Sequence, residues 1–160
     1  MLCELYHLPT ENRICRMNQQ QQQFAQRLGF AGLVPFLLLA LAGLLDVYGA
    51  IAIQWFTYYS VAIISFLAGV HWGLQMAQPS AATNRRLGWC MVPPVLAFAA
   101  LAASAWFSSL VILAWLAVLH LFWLNYERRH LAEHEWYLTM RGQLTFTVVA
   151  LHIILIIISI

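Results

Sequence analysis

Five stretches of the chain are apolar and long enough to cross a bilayer, and short polar segments separate them. They cover about residues 28–45, 56–77, 89–105, 110–126 and 144–160. A helical span needs about 20 predominantly apolar residues. In lipid each backbone N–H and C=O must be satisfied within the segment, so each stretch predicts a helix. Turn chemistry agrees. Asp46, Tyr48 and Gly49 follow the first stretch, and Gln78-Pro79-Ser80 with Asn84-Arg85-Arg86 follow the second. Trp106-Phe107-Ser108-Ser109 breaks the third from the fourth, and a polar loop from Glu127 to Gly142 precedes the last. The expected fold is all-α: an integral membrane bundle of five transmembrane helices, with the second span at its centre.

Composition supports lipid as the solvent. Of 160 residues, 62% are hydrophobic and 9% charged, against about 25% charged in a soluble domain. Once five spans are drawn, no separate soluble domain fits. The chain divides into a polar arm, residues 1–26, expected to be disordered, and a transmembrane domain, residues 27–160. The arm has no apolar core of the kind a signal peptide carries, and its five consecutive glutamines, Gln19 to Gln23, suit a solvated segment. Met17 is a second candidate start, which would leave Met1 to Arg16 outside the protein.

Charge then orients the bundle. The basic residues are Arg13, Arg16, Arg27, Arg85, Arg86, Arg128, Arg129 and Arg141, with no lysine. Threading five spans puts all eight on one face, while the other face holds Asp46. Arginine-rich loops stay in the cytoplasm, so the N-terminus is expected inside and the C-terminus outside. Aromatic residues fall at both boundaries: Trp55, Tyr58, Tyr59 and Trp106 at the outer one, and Trp89, Trp123, Tyr126, Trp136 and Tyr137 at the inner one. Such rings favour the headgroup level. The arginines read as topology signals rather than as a groove-reading patch, so nucleic acid is not an expected partner. Cys3, Cys15 and Cys90 form no CxxC pair and map to the arginine-rich side, where reduced thiols are expected.

Candidate chemistry concentrates in the second span. Ser65, Gly69 and Gly73 recur every four residues, a small-residue stripe that lets another helix approach closely. His71 lies about 200° around the helix from Gly69, with Gln75 one turn beyond it. His120 in the fourth span sits at a depth similar to His71, and His152 in the fifth is somewhat deeper. Pro35 and Pro93-Pro94 fall in the same half of the bilayer. Pro35 lacks an N–H and so frees the carbonyl of Ala31, whereas Pro93-Pro94 should sit near the start of its helix. Two interpretations stay open. Either His71 and His120 hold a haem or quinone, or serve a transport or proton path, or each imidazole bonds a carbonyl or serine and locks the bundle. His130-Leu131-Ala132-Glu133-His134 matches the HxxEH pattern of inverted zinc peptidases. It lacks a third ligand and a catalytic domain, and reads as a solvated amphipathic loop. No metal site is expected, and no nucleophile–base pair argues for an enzyme.

The run from Tyr59 to Gly73, ending in His71-Trp72-Gly73, resembles the signature of the membrane family called domain of unknown function 3429. Leu33-Val34-Pro35-Phe36, Trp136-Tyr137-Leu138-Thr139-Met140-Arg141 and Leu144-Thr145 fit the same family. The resemblance covers about residues 27–149. It implies a small multi-span protein of the bacterial inner membrane, or of the mitochondrial inner membrane if eukaryotic, where the relative is transmembrane protein 69. The family name states no activity, so the resemblance implies no catalytic role. It places emphasis on Pro35, Ser65, Gly69, His71, Trp72, Gly73 and Arg141. Arg141 is expected at the mouth of the inner half, as a pocket cap or headgroup anchor, with Gln75 and His152 as further pocket or interface residues. The expected role is a non-enzymatic subunit, scaffold or assembly factor, meeting the bilayer and a membrane-protein partner or a second copy. The alternative is a small cofactor-binding or transport protein that uses the intramembrane histidines.

Overall fold

The computed structural model describes residues 19–77, 84–131 and 135–160. Six helices account for nearly all of them: α1 Gln19–Ala31, α2 Val34–Leu44, α3 Gly49–Ala77, α4 Asn84–Ala103, α5 Ser109–His130 and α6 Glu135–Ile158. No strand occurs among the described residues. α1 and α2 share one apolar run, Gln20–Leu44, which with α3, α4, α5 and α6 makes five helical segments long and apolar enough to cross a membrane.

The α1–α2 run breaks at Gly32–Leu33, and Pro35 lies in the first turn of α2. Proline removes the donor that would reach the Ala31 carbonyl. At the next carbonyl, that of Gly32, the Tyr59 hydroxyl donates from α3 at 2.9 Å. A neighbouring helix thus supplies polar contact where the backbone ladder is interrupted.

Helices run further than the apolar windows. α3 starts at Gly49, α4 at Asn84 and α6 at Glu135, and the glutamine run forms the first turns of α1. Intrahelical hydrogen bonds do not require an apolar side chain, and glutamine is a good helix former. Two local expectations change accordingly. Pro93-Pro94 lie in the middle of α4 rather than near its start. Of the polar segment expected as a loop from Glu127 to Gly142, residues 127–130 instead end α5 and residues 135–142 begin α6. Leu131 closes α5 by donating to the Glu127 carbonyl at 2.8 Å. Glu133 and His134 of the HxxEH pattern lie outside the described residues.

The helices pack around two centres. Phe36 and Ala40 of α2 meet Phe56 of α3, Leu113 of α5, and Val148 and Leu155 of α6. On the other side Ile64 of α3 meets Ala97 and Ala100 of α4 and Ile112, Leu116 and Leu119 of α5. α3 touches α2, α4 and α5, while α5 touches α3, α4 and α6, so the two share the central position. α2 packs tightly against α6 at Gly43, where an added Cβ would stand 3.0 Å from Leu155 and 3.7 Å from Ile53.

The opposite surface is apolar. Leu38, Phe66, Phe98, Val118 and Ile157 all point outward. So many exposed large apolar side chains call for lipid or a partner rather than water. The described arginines gather at one end. Arg85, Arg86 and Arg129 line one pocket, Arg128 approaches Gly142 beside Arg141, and α1 near Arg27 packs on Met140 and Leu144 of α6.

Candidate functional site

The buried face of α3 carries Phe56, Ser60, Ile64, Leu67, Ala68, His71 and Gln75. This is the helical repeat of three and four residues that points one stripe inward. Two of its polar residues organise separate clusters.

Ser60 is fully buried, and its hydroxyl lies 3.1 Å from Nε2 of both His120 and His152. His152 Nδ1 lies 2.8 Å from the Val148 carbonyl. A carbonyl only accepts, so Nδ1 carries the proton, and in the neutral ring Nε2 is left as acceptor. One directional chain then satisfies the cluster: His120 Nε2–H donates to Ser60, Ser60 O–H donates to His152 Nε2, and His152 Nδ1–H donates to Val148. The rings of His120 and His152 are 5.7 Å apart. Phe56 packs against His152 at 4.7 Å, and Phe36 stands over both imidazoles. Three helices therefore meet through one hydroxyl inside an aromatic shell.

His71 occupies different surroundings. It is 1% exposed, with its ring edge-on to Trp123 at 5.5 Å and Tyr126 at 5.4 Å. Neither of its ring nitrogens, nor Oε1 of Gln75 one turn on, has a hydrogen-bond partner among the described residues. No hydrogen bond or ring contact among those residues joins His71 to His120. The sequence picks out His71 and His120 for their similar depth; the structure joins His120 to His152. Ser60 supplies that junction, and its one visible signal was a serine four residues from two apolar positions on the inward stripe of α3. Among the described residues no group of three or more histidine, cysteine, aspartate or glutamate side chains could hold a metal ion.

Between α5 and α6 lies a buried ion pair. Arg141 Nε donates to Glu127 Oε2 at 2.9 Å, and the side chains are 6% and 1% exposed. The Tyr137 hydroxyl donates to Glu127 Oε1 at 3.2 Å. Arg141 Nη2 and the Thr145 hydroxyl, one turn on, have no partner among the described residues. Arg141 thus faces Glu127 within the bundle and does not stand open to headgroups. The expected mouth position assumed a loop from Glu127 to Gly142; continuous helices turn both residues inward instead.

The small-residue stripe faces away from all of this. Gly69 and Gly73 are exposed, and a Cβ added at either would meet nothing within 4 Å among the described residues. Ser65 is half-buried, and Phe66, Trp72 and Met76 flank the stripe as exposed rims.

The chain belongs to the family described as protein of unknown function (DUF3429), whose pattern matches residues 21–157. No curated protein matches it. No solved structure matches it either.

Proposed function

We propose that this protein is a non-enzymatic component of a membrane complex, a subunit, scaffold or assembly factor, and that α3 docks a transmembrane helix of its partner. One observation carries this: Gly69 and Gly73 form an open track that no described residue of the chain fills. Helices in lipid associate through close packing at small residues, because lipid tails compete with any simple apolar contact. Ser65 continues the track and can hydrogen-bond across it. Trp72, Phe66 and Met76 wall it on both sides. A haem or quinone held between His71 and His120 is the weaker fit, since Ser60 already engages His120 Nε2.

The test pairs two glycines. Gly69→Leu should abolish co-purification of the partner from detergent extracts while leaving the protein's own stability within about 0.5 kcal/mol. Gly43→Leu, which forces Leu155 aside, should cost about 1–3 kcal/mol of that stability through overpacking. Native mass spectrometry of the wild-type protein reads the complex directly. A clean monomer there, or a complex indifferent to Gly69→Leu, would sink the proposal.

We further place the arginine-rich end in the cytoplasm and the chain in an inner membrane, N-terminus in and C-terminus out. An alkaline phosphatase fused after Ile160 should be active; an inactive fusion, with a cytoplasmic reporter active at the same position, reverses the orientation.

A further inference from the structure

A second feature is independent of the glycine track. Where α4 begins and α5 ends, a pocket of about 530 Å³ opens at the arginine-rich end. Arg85 and Arg86 line it from the first turn of α4, and Arg129 from the last turn of α5. Among the described residues no carboxylate lines it. The placement of the α4 arginines is unfavourable by itself. A helix N-terminus carries the positive end of the helix dipole, and acidic residues are the usual occupants there. The first turn of α4 has no acidic residue. An anion in the pocket would offset both the guanidinium charge and the helix end, through charge-assisted hydrogen bonds.

Apart from Asn125, the remaining walls are aromatic rings and already built. Tyr126 stacks on His130 at 4.2 Å and beside Trp89 at 6.4 Å. His130 Nδ1–H donates to the Tyr126 carbonyl at 2.9 Å, which holds that ring over the α5 terminus. The Tyr126 hydroxyl is enclosed, so it is the ring of Tyr126 that lines the pocket. Trp89 and Phe122 are 39% and 41% exposed, on the side where acyl chains would run. A soluble anion would use the basic floor alone. A ligand with a charged head and an apolar tail uses both.

The geometry points to this pocket as a binding site for the phosphate ester of an anionic phospholipid. Basic pockets between membrane helices suit such headgroups, and the volume falls in the range of small-ligand sites. Arg85 and Arg129 grip the phosphate, and the lipid tail passes Trp89 and Phe122.

The test uses the full-length, delipidated protein in detergent, titrated separately with phosphatidylglycerol, phosphatidylcholine and inorganic phosphate and read by native mass spectrometry. One phosphatidylglycerol should be retained at least about tenfold more tightly than phosphatidylcholine. Arg85→Gln with Arg129→Gln should weaken it at least about tenfold, a loss of two phosphate contacts. Arg27→Gln, at the same end but outside the pocket, should leave it unchanged. Circular dichroism checks folding; if the glutamine pair does not fold, Arg85→Lys with Arg129→Lys should weaken binding severalfold by removing the bidentate grip. Equal weakening by Arg27→Gln would show general charge attraction and overturn the proposal. So would binding of inorganic phosphate without lipid preference, or an adduct untouched by either pair.

Discussion

Glu127→Ala lowers the stability of the folded bundle by about 3–5 kcal/mol, the usual cost of leaving one partner of a buried ion pair alone. The expectation rests on burial rather than on the 2.9 Å contact itself. Exposed ion pairs contribute about 0–1 kcal/mol, but here both side chains are almost wholly enclosed between α5 and α6. Removal of the carboxylate leaves the Arg141 guanidinium, already short of a partner at Nη2, with none at Nε. It also strands the Tyr137 hydroxyl. The double variant Glu127→Leu, Arg141→Met should recover most of the loss, because it removes both charges from the interior. Titration with a denaturing detergent, followed by circular dichroism, measures both. A loss below about 1 kcal/mol for Glu127→Ala would mean that water reaches the pair.

Ser60→Ala is expected to cost roughly 2–6 kcal/mol, since a buried polar group left unsatisfied costs about 1–3 kcal/mol and two imidazoles lose their partner together. The proton order in the cluster makes the prediction more specific. His152 keeps its bond to Val148 through Nδ1, so it remains oriented by α6 alone. The His120 Nε2–H loses its acceptor outright. Ser60→Thr, which retains a hydroxyl, should therefore lose less than Ser60→Ala even though it adds a methyl group to a packed site. His120→Leu in the Ser60→Ala background should cost little more than Ser60→Ala alone, because the bond that the histidine made is already gone. Additive losses would contradict a shared network. The same unfolding titration reads these variants.

These two clusters differ in how far the sequence reveals them. His120, His152 and Arg141 stand out in an apolar chain, and each is polar at a position where lipid would be costly. Their partners do not stand out. Ser60 is a small residue of the kind common in membrane helices, and Glu127 sits beside Arg128 and Arg129 in what reads as a solvated loop. Helix continuation past the apolar window is what carries Glu127 and Arg141 into the interface. A freed carbonyl one turn before Pro35 was legible, because proline's missing N–H is a local property, but the break into α1 and α2 was not. The Tyr59 hydroxyl that answers it was not, because it comes from a residue 27 positions away. The glycine track was legible as a period of four, but its direction was not: a stripe of small residues looks the same whether the chain's own helix or another fills it.

By itself the sequence determines the class of this protein. Five apolar stretches, each obliged to satisfy its backbone internally, make five membrane-crossing candidates, and the arginines collect at one end of them. Those are properties of single segments, and local composition decides them. Which polar groups meet depends on the rotation of each helix about its axis and on its neighbours, and packing of all the helices together decides that. Tertiary structure alone joins His120 to His152 through Ser60, encloses Glu127 with Arg141, and turns Gly69 and Gly73 outward.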